Sequence, residues 1–175
     1  MSGMLISFLG MLLAIKGHYT YATLCLALSG ICDGFDGTLA RKENYSKNAK
    51  TYGIQLDSLS DLVCFGVFPA ILTCLISDSI YVYIISAIYL LCGLIRLSYF
   101  NTLASDPSSK KNVFVGVPIT TVAFLYPFVL FIFRFINYDY LTILLPLLLC
   151  VLAILFISRI EIQKVNILSF INFFK

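Results

Sequence analysis

Four aspartates, Asp33, Asp36, Asp57 and Asp61, lie within or at the ends of two neighbouring apolar stretches of the chain. The whole chain has only nine acidic residues, so this is a strong concentration. Carboxylates inside a membrane span are costly and are usually functional. Asp33 and Asp36 are three positions apart and Asp57 and Asp61 are four apart, so each pair shares one helical face. Two facing helices would therefore present four carboxylates to one pocket.

Carboxylate oxygens in this number are suited to hard divalent cations, and we predict a site for two ions of Mg²⁺ or Mn²⁺. The alternative is that the aspartates cap helices or pair with basic residues at the membrane surface, which is common for a single aspartate at the end of a span. Four aspartates at this spacing favour the metal site. Gly34 and Gly37 add to it, since glycine inside a helix often marks close approach by a ligand or another backbone.

The composition places these aspartates in a membrane protein. Apolar residues make up 60% of the 175 residues and charged residues 12%, whereas about 25% are charged in an ordinary soluble domain. No polar block is long enough to fold separately, so residues 1–175 are predicted to form a single membrane domain. Lipid offers no hydrogen-bond partner to the backbone, which predicts an all-α integral membrane protein. A nucleic-acid partner is not expected.

The apolar stretches predict a bundle of about six transmembrane helices, since a span needs about 20 residues. The predicted spans are 3–16, 19–40, 53–77, 79–101, 113–136 and 139–158. With both termini in the cytoplasm, nine basic residues fall on the inner side and two, Lys16 and Arg134, on the outer side. The inner ones are Arg41, Lys42, Lys47, Lys50, Lys110, Lys111, Arg159, Lys164 and Lys175. We therefore expect a multi-pass protein of the cell membrane whose acidic pocket faces the cytoplasm.

The segment DGFDGTLAR, from Asp33 to Arg41, and the segment GIQLDSLSD, from Gly53 to Asp61, resemble the signature of the CDP-alcohol phosphatidyltransferase family. That signature reads DxxDGxxAR, a spacer, and GxxxDxxxD, and every fixed position is filled. The spacer from Lys42 to Tyr52 is longer than in the family pattern. The extra residues fall in a polar connection, predicted as a loop from Arg41 to Tyr52, where insertions are well tolerated.

The resemblance implies roles for the matched positions. The four aspartates would bind two divalent cations, and Asp61 would also be the general base. The CDP site would be lined by Gly37, Ala40, Arg41 and Gly53. A hydroxyl residue that often contacts the nucleotide in the family would correspond to Thr51 or Ser46, and these two alternatives stay open. Family membership would also imply a homodimer.

Three further segments resemble phosphatidylserine synthases of the small bacterial and archaeal type: DSLSDLVCFGVFPA, GLIRLSYFN and FVGVPIT. This resemblance implies CDP-diacylglycerol as the donor and L-serine as the acceptor, and it implies that the protein contacts membrane lipid. Leu62 and Val63 follow Asp61, whereas family members with phosphorylated acceptors usually carry Lys or Arg directly after that aspartate. Arg96 is a candidate for the serine carboxylate; alternatively it pairs with an active-site aspartate or extends to the membrane interface.

Two other interpretations remain open from the sequence. Within the same chemistry, the acceptor could be glycerol 3-phosphate or inositol phosphate. In a different functional class, intramembrane carboxylates could bind ions in a cation transporter. A transporter would place acidic residues along a path through the membrane, whereas here they cluster near one side, and the DGxxAR glycine and arginine would have no role.

Overall fold

The computed structural model describes residues 2–40, 47–105, 113–115, 117–136, 140–158 and 161–163. At residues 36–40, 47, 50, 104–105, 113–115, 134–136 and 161–163 only the backbone is described. Seven α-helices are present in these ranges. They are α1 (Ser2–Ile15), α2 (Tyr19–Ala40), α3 (Lys47–Asp61), α4 (Phe68–Ile76), α5 (Ile80–Ser105), α6 (Val122–Ile136) and α7 (Leu141–Ile157).

Helices α3 and α4 belong to one continuous helical rod, because the segment between them, Leu62–Val67, is a π-helix. A short turn at 77–79 then reverses the chain into α5. The Tyr83 hydroxyl donates a hydrogen bond to Asp78 in this turn. The weak polar break between the third and fourth predicted spans is therefore a real helical hairpin.

The predicted spans agree with the helices at most boundaries, with two corrections. The polar connection predicted as a loop up to Tyr52 is helical from Lys47, since α3 begins there. Extending an existing helix by a turn costs little once the apolar part has formed. The remainder of that connection, 41–46, lies outside the described residues.

The second correction concerns the predicted span 113–136. Val113–Val115 is an extended strand, β1, and α6 begins only at Val122 after a 3₁₀ turn at Ile119–Thr121. Pro118 explains the delay, since proline disfavours helical geometry in the residue before it. Its own ψ of 142° is extended, and its carbonyl accepts the Thr121 N–H.

Across the described residues the fold is helical as predicted, apart from one short pair of strands. Strand β1 pairs antiparallel with β2 (Glu161–Gln163), with Phe114 opposite Ile162. These strands follow α5 and α7, which also pack on each other. The two strands therefore pair beyond the carboxyl-terminal ends of α5 and α7.

Helices α1 and α2 form the first hairpin, and its turn is set by Gly17. The φ angle of Gly17 is +80°, which favours glycine. The Gly17 N–H donates to the Ala14 carbonyl at 2.9 Å and the His18 N–H donates to the Leu13 carbonyl at 2.9 Å. This is the Schellman arrangement, which satisfies carbonyls at the end of α1 and reverses the chain tightly.

The core lies where α4, α5, α6 and α7 meet. Tyr89 of α5 contacts Phe156 of α7, with ring centroids 5.7 Å apart. One face of α7 is fully buried through Leu141, Leu145, Leu149 and Leu152.

The outward faces of the helices are also apolar. Leu5, Ile84, Phe128 and Ile154 are each more than half exposed. Two helical stretches, Thr51–Ile76 and Ile80–Leu103, are long and apolar enough to cross a bilayer, and Ser2–Ile15, Ile119–Phe133 and Leu141–Ile157 are shorter apolar helices. Contiguous exposed apolar surface of this extent is unfavourable in water. The helices fit a membrane protein.

Candidate metal and substrate site

Three of the four predicted aspartates meet in space. Asp33 comes from α2, and Asp57 and Asp61 come from α3. One carboxylate oxygen from each lies within 4.8 Å of the others. Asp57 is exposed, while Asp33 and Asp61 are half-buried. We call these three residues the aspartate cluster.

The donor set fits a divalent cation. Three carboxylates at this separation repel one another in the absence of a counter-charge, and hard cations prefer carboxylate oxygen ligands. Asp36 follows Asp33 by one turn in α2, but its side chain lies outside the described residues. The cluster could bind metal through the three aspartates that are described.

Helix α2 holds Asp33 in place through close packing one turn earlier. A Cβ atom on Gly30 would lie 2.3 Å from the Cβ of Ala123 in α6, so the two helices are in backbone contact there. The Ser29 hydroxyl donates to the Leu26 carbonyl at 2.8 Å, which satisfies a polar group buried in the apolar interior. Gly3 of α1 also lies against α2, near the Ser29 carbonyl.

Helix α3 is fixed to α5 beside the cluster. Ser58, directly after Asp57, donates its hydroxyl to Asn101 Oδ1 at 2.7 Å. Further along the same hairpin, Tyr89 donates its hydroxyl to the Phe65 carbonyl. The two contacts set the antiparallel register of α5 against the rod that carries Asp57 and Asp61.

The residues predicted to bind substrate differ in how much of their surroundings the structure describes. Gly34 and Gly53 are exposed, and a Cβ added at either would meet no atom within 4 Å. Gly53 therefore borders open space. Gly37 and Ala40 lie in α2 with surroundings outside the described residues; Arg41 and Ser46 lie outside the described ranges altogether, and Thr51 is exposed on α3.

Arg96 is buried, with 7% of its surface exposed. Its guanidinium carbon lies 5.7 Å from the centre of the Phe100 ring, a cation–π distance. The Ser58–Asn101 and Phe65–Tyr89 contacts lie on either side of Arg96 along α5 and on either side of Asp61 along the rod. This burial argues against extension of Arg96 to the membrane interface.

A cavity of about 570 Å³ lies elsewhere, at the α1–α2 turn. It is lined by Gly17, His18, Tyr19, Thr20, Tyr21, Ile76 and Leu130. Asp33 is fourteen residues along α2 from Tyr19, which is about 21 Å at helical rise. The cavity and His18, which lines it, are therefore separate from the aspartate cluster.

Two features near the cluster were missed by sequence reasoning. The hydrogen bond from Ser58 to Asn101 joins two segments that carried the resemblance, so the motifs signalled both residues but not their contact. Composition did not indicate the π-helix or its contact with Tyr89, because α- and π-helices share the same apolar composition.

Comparison with known proteins finds the same family as the signature motifs. The sequence model of the CDP-alcohol phosphatidyltransferase family matches residues 1–162. A CDP-diacylglycerol–serine O-phosphatidyltransferase of Bacillus subtilis is 34% identical over 150 residues, covering 82% of this chain and 76% of that protein. The corresponding protein of Helicobacter pylori strain J99 is 36% identical over 133 residues, covering 67% of this chain and 50% of that protein.

An archaetidylserine synthase of Methanothermobacter thermautotrophicus is 38% identical over 118 residues, covering 66% of this chain and 48% of that protein. The chain thus spans about half the length of several of the curated relatives it matches. The match to the family model covers most of the chain and includes both halves of the signature that form the aspartate cluster. The chain belongs to the CDP-alcohol phosphatidyltransferase family.

Proposed function

We propose that this protein transfers the phosphatidyl group of CDP-diacylglycerol to the hydroxyl of L-serine, giving phosphatidylserine and CMP. The observation that carries the proposal is the aspartate cluster, which joins the two halves of the family signature within 4.8 Å. The names of the curated relatives, which are serine phosphatidyltransferases and an archaetidylserine synthase, support serine as the acceptor.

Asp33, Asp57 and Asp61 would hold divalent metal, together with Asp36 on the next turn of α2. Two ions of Mg²⁺ or Mn²⁺ bound there would polarise the phosphate oxygens and offset negative charge that develops during transfer. The protein's part is to keep the carboxylates at a fixed separation. The Gly30–Ala123 contact on α2 and the Ser58–Asn101 hydrogen bond on α3 support that role.

Asp61 is proposed as the general base. Its carboxylate would accept the proton of the serine hydroxyl as that oxygen forms a bond to the phosphorus that carries the diacylglycerol. The bond from that phosphorus to the bridging oxygen breaks, and CMP leaves with the electron pair. A half-buried carboxylate that belongs to the aspartate cluster is suited to this role.

The CDP group would lie beside the glycines of the signature. Gly37, Ala40 and Gly53 leave room for the nucleotide, and Arg41 would supply a cation for phosphate. The open space at Gly53 supports this placement. Arg96 would bind the serine carboxylate, since it is buried and lies between the same two interhelical contacts that flank Asp61.

The wider arrangement is also proposed. The chain would cross the cell membrane about six times, with both ends and the active site on the cytoplasmic side, where soluble serine is available. The distribution of Lys and Arg supports this orientation. We also propose a homodimer, as family membership implies.

The test is release of CMP from CDP-diacylglycerol by the purified protein in detergent micelles, with serine, glycerol 3-phosphate and inositol phosphate supplied in turn. We expect serine to support release and to yield phosphatidylserine. Release with only a phosphorylated acceptor would overturn the serine assignment and keep the reaction class.

Absence of CMP release with every acceptor, combined with metal flux through liposomes containing the protein, would favour a cation transporter. Within the part of the chain whose side chains are described, the acidic residue outside the cluster is Asp78, in the turn at the other end of the α4–α5 hairpin. That distribution favours one site over a path across the membrane.

A further inference from the structure

The π-helix at Leu62–Val67 begins directly after Asp61. In a continuous α-helix, positions 57, 61, 68 and 72 would all lie within about 60° on one face. Phe68 and Leu72 are completely buried in the core, whereas Asp57 is exposed and Asp61 half-buried. The rod thus presents different faces on the two sides of the π-helix.

The π-helix accounts for this change of face between α3 and α4. The Phe68 N–H donates to the Val63 carbonyl, five residues back, instead of four. One extra residue in a turn rotates the flanking helices relative to each other by about 100°. Phe68 can then face the core while Asp57 and Asp61 face Asp33.

One carbonyl within the π-helix, that of Phe65, lacks its α-helical donor and finds another. The α-helical donor for the Phe65 carbonyl would be the N–H of residue 69, which is proline and has none. Tyr89, itself completely buried, donates its hydroxyl to that carbonyl from α5. A buried carbonyl left without a donor is destabilising, so this hydroxyl bears on the geometry of the turn.

We propose that Tyr89 is a positioning residue for the metal site: its hydroxyl stabilises the π-helix, and the π-helix turns Asp57 and Asp61 towards Asp33. Tyr89 acts through the backbone of the rod and touches neither metal nor substrate. This inference rests on the proposed function only in assigning metal to the aspartate cluster; the acceptor does not enter it.

The matched variants are Tyr89→Phe and Tyr126→Phe. Both tyrosines are completely buried and both lose only a hydroxyl. The Tyr126 hydroxyl lies 3.0 Å from the Thr73 hydroxyl, on α4 beyond the π-helix, so the control removes a comparable hydrogen bond away from the cluster. Asp33→Asn serves as the reference for loss of a metal ligand.

Metal binding is read from thermal unfolding of the detergent-solubilised protein during titration with Mn²⁺. A thiol-reactive dye follows exposure of the buried Cys64 and Cys92. Stabilisation by a ligand depends on its concentration relative to its dissociation constant. We expect Tyr89→Phe to raise the Mn²⁺ concentration for half-maximal stabilisation about 10-fold, the lower end of effects seen for residues behind metal ligands. Tyr126→Phe should leave it unchanged.

Equal Mn²⁺ midpoints for Tyr89→Phe and wild type would overturn the proposal, and so would equal increases in the two tyrosine variants. If Tyr89→Phe fails to fold while Tyr126→Phe folds, the hydroxyl serves the whole bundle and the proposal is also wrong. If wild type and Asp33→Asn respond alike to Mn²⁺, the metal assignment itself fails. CMP release measured in parallel tests the proposed reaction separately, because Mn²⁺ stabilisation requires no acceptor.

Discussion

Two glycines one helical turn apart on α2 have opposite surroundings. Gly30 is pressed against Ala123 of α6, where an added Cβ would lie 2.3 Å from the Ala123 Cβ. Gly34, four residues further on, has no atom within 4 Å of an added Cβ. The same residue type therefore brings helices together in the core and leaves space beside Asp33. The bundle is closed on one side of the aspartate cluster and open on the other.

Removal of divalent cations should have the largest effect on the open side of the bundle, where the aspartate cluster lies. Chelation with excess EDTA should abolish CMP release, because three carboxylates within 4.8 Å then lack the counter-charge that the reaction requires. Activity should return when Mg²⁺ or Mn²⁺ is added in excess of the chelator. Activity that persists after exhaustive chelation would contradict a metal-dependent transfer.

Asp61→Asn and Asp78→Asn compare the activity lost at the aspartate cluster with that lost at the far turn of the α4–α5 hairpin. Asp61→Asn keeps side-chain volume but removes the proposed base, so CMP release should fall by about 100- to 10,000-fold. Asp78→Asn is the control, since Asp78 lies in the turn at the other end of the α4–α5 hairpin. It should retain activity near wild type. Comparable activity in the two variants would remove Asp61 from the reaction.

Gly30→Ala should destabilise the bundle, while Gly34→Ala should not. The added methyl group at Gly30 meets a Cβ atom in α6 that cannot rotate away, and such overpacking costs about 1–3 kcal/mol. At Gly34 the methyl group enters open space and improves helix propensity by about 0.5–1 kcal/mol. Thermal unfolding in detergent measures the difference. Equal stability of the two variants would mean that the α2–α6 contact is looser than described.

Sequence reasoning succeeded where composition and spacing determine the outcome. The bounds of α2 follow from its apolar run, and the intervals between aspartates placed Asp57 and Asp61 on one face of α3 and Asp33 opposite them. It was wrong at the start of α3, because a polar segment such as Lys47–Tyr52 has no bilayer requirement and its helicity depends on the attached span. The strand Val113–Val115 was missed because its partner, Glu161–Gln163, is distant in sequence.

The orientation of the aspartates was the least accessible feature. An α-helical wheel places Asp61 and Phe68 on the same face, and only the π-helix between them separates the two. A π-helix has about one extra residue per turn, and in this one the Phe65 carbonyl accepts a hydrogen bond from another helix, from the Tyr89 hydroxyl. The sequence could identify the candidate metal ligands, but the direction in which their side chains point depends on contacts between helices.

The smallest expected effects concern the two ends of the hairpin that α5 forms with the α3–α4 rod. Ser58→Ala removes the hydrogen bond to Asn101 beside Asp57, and Cys74→Ala removes the weaker Cys74–Ser86 contact at 3.4 Å near the far turn. Each should change stability by about 1 kcal/mol or less. Only Ser58→Ala should also alter the Mg²⁺ concentration needed for half-maximal CMP release, by a few-fold, since α3 is then less firmly held against α5 at the cluster. An equal Mg²⁺ dependence in both variants would mean that the rod holds Asp57 and Asp61 in place without this contact.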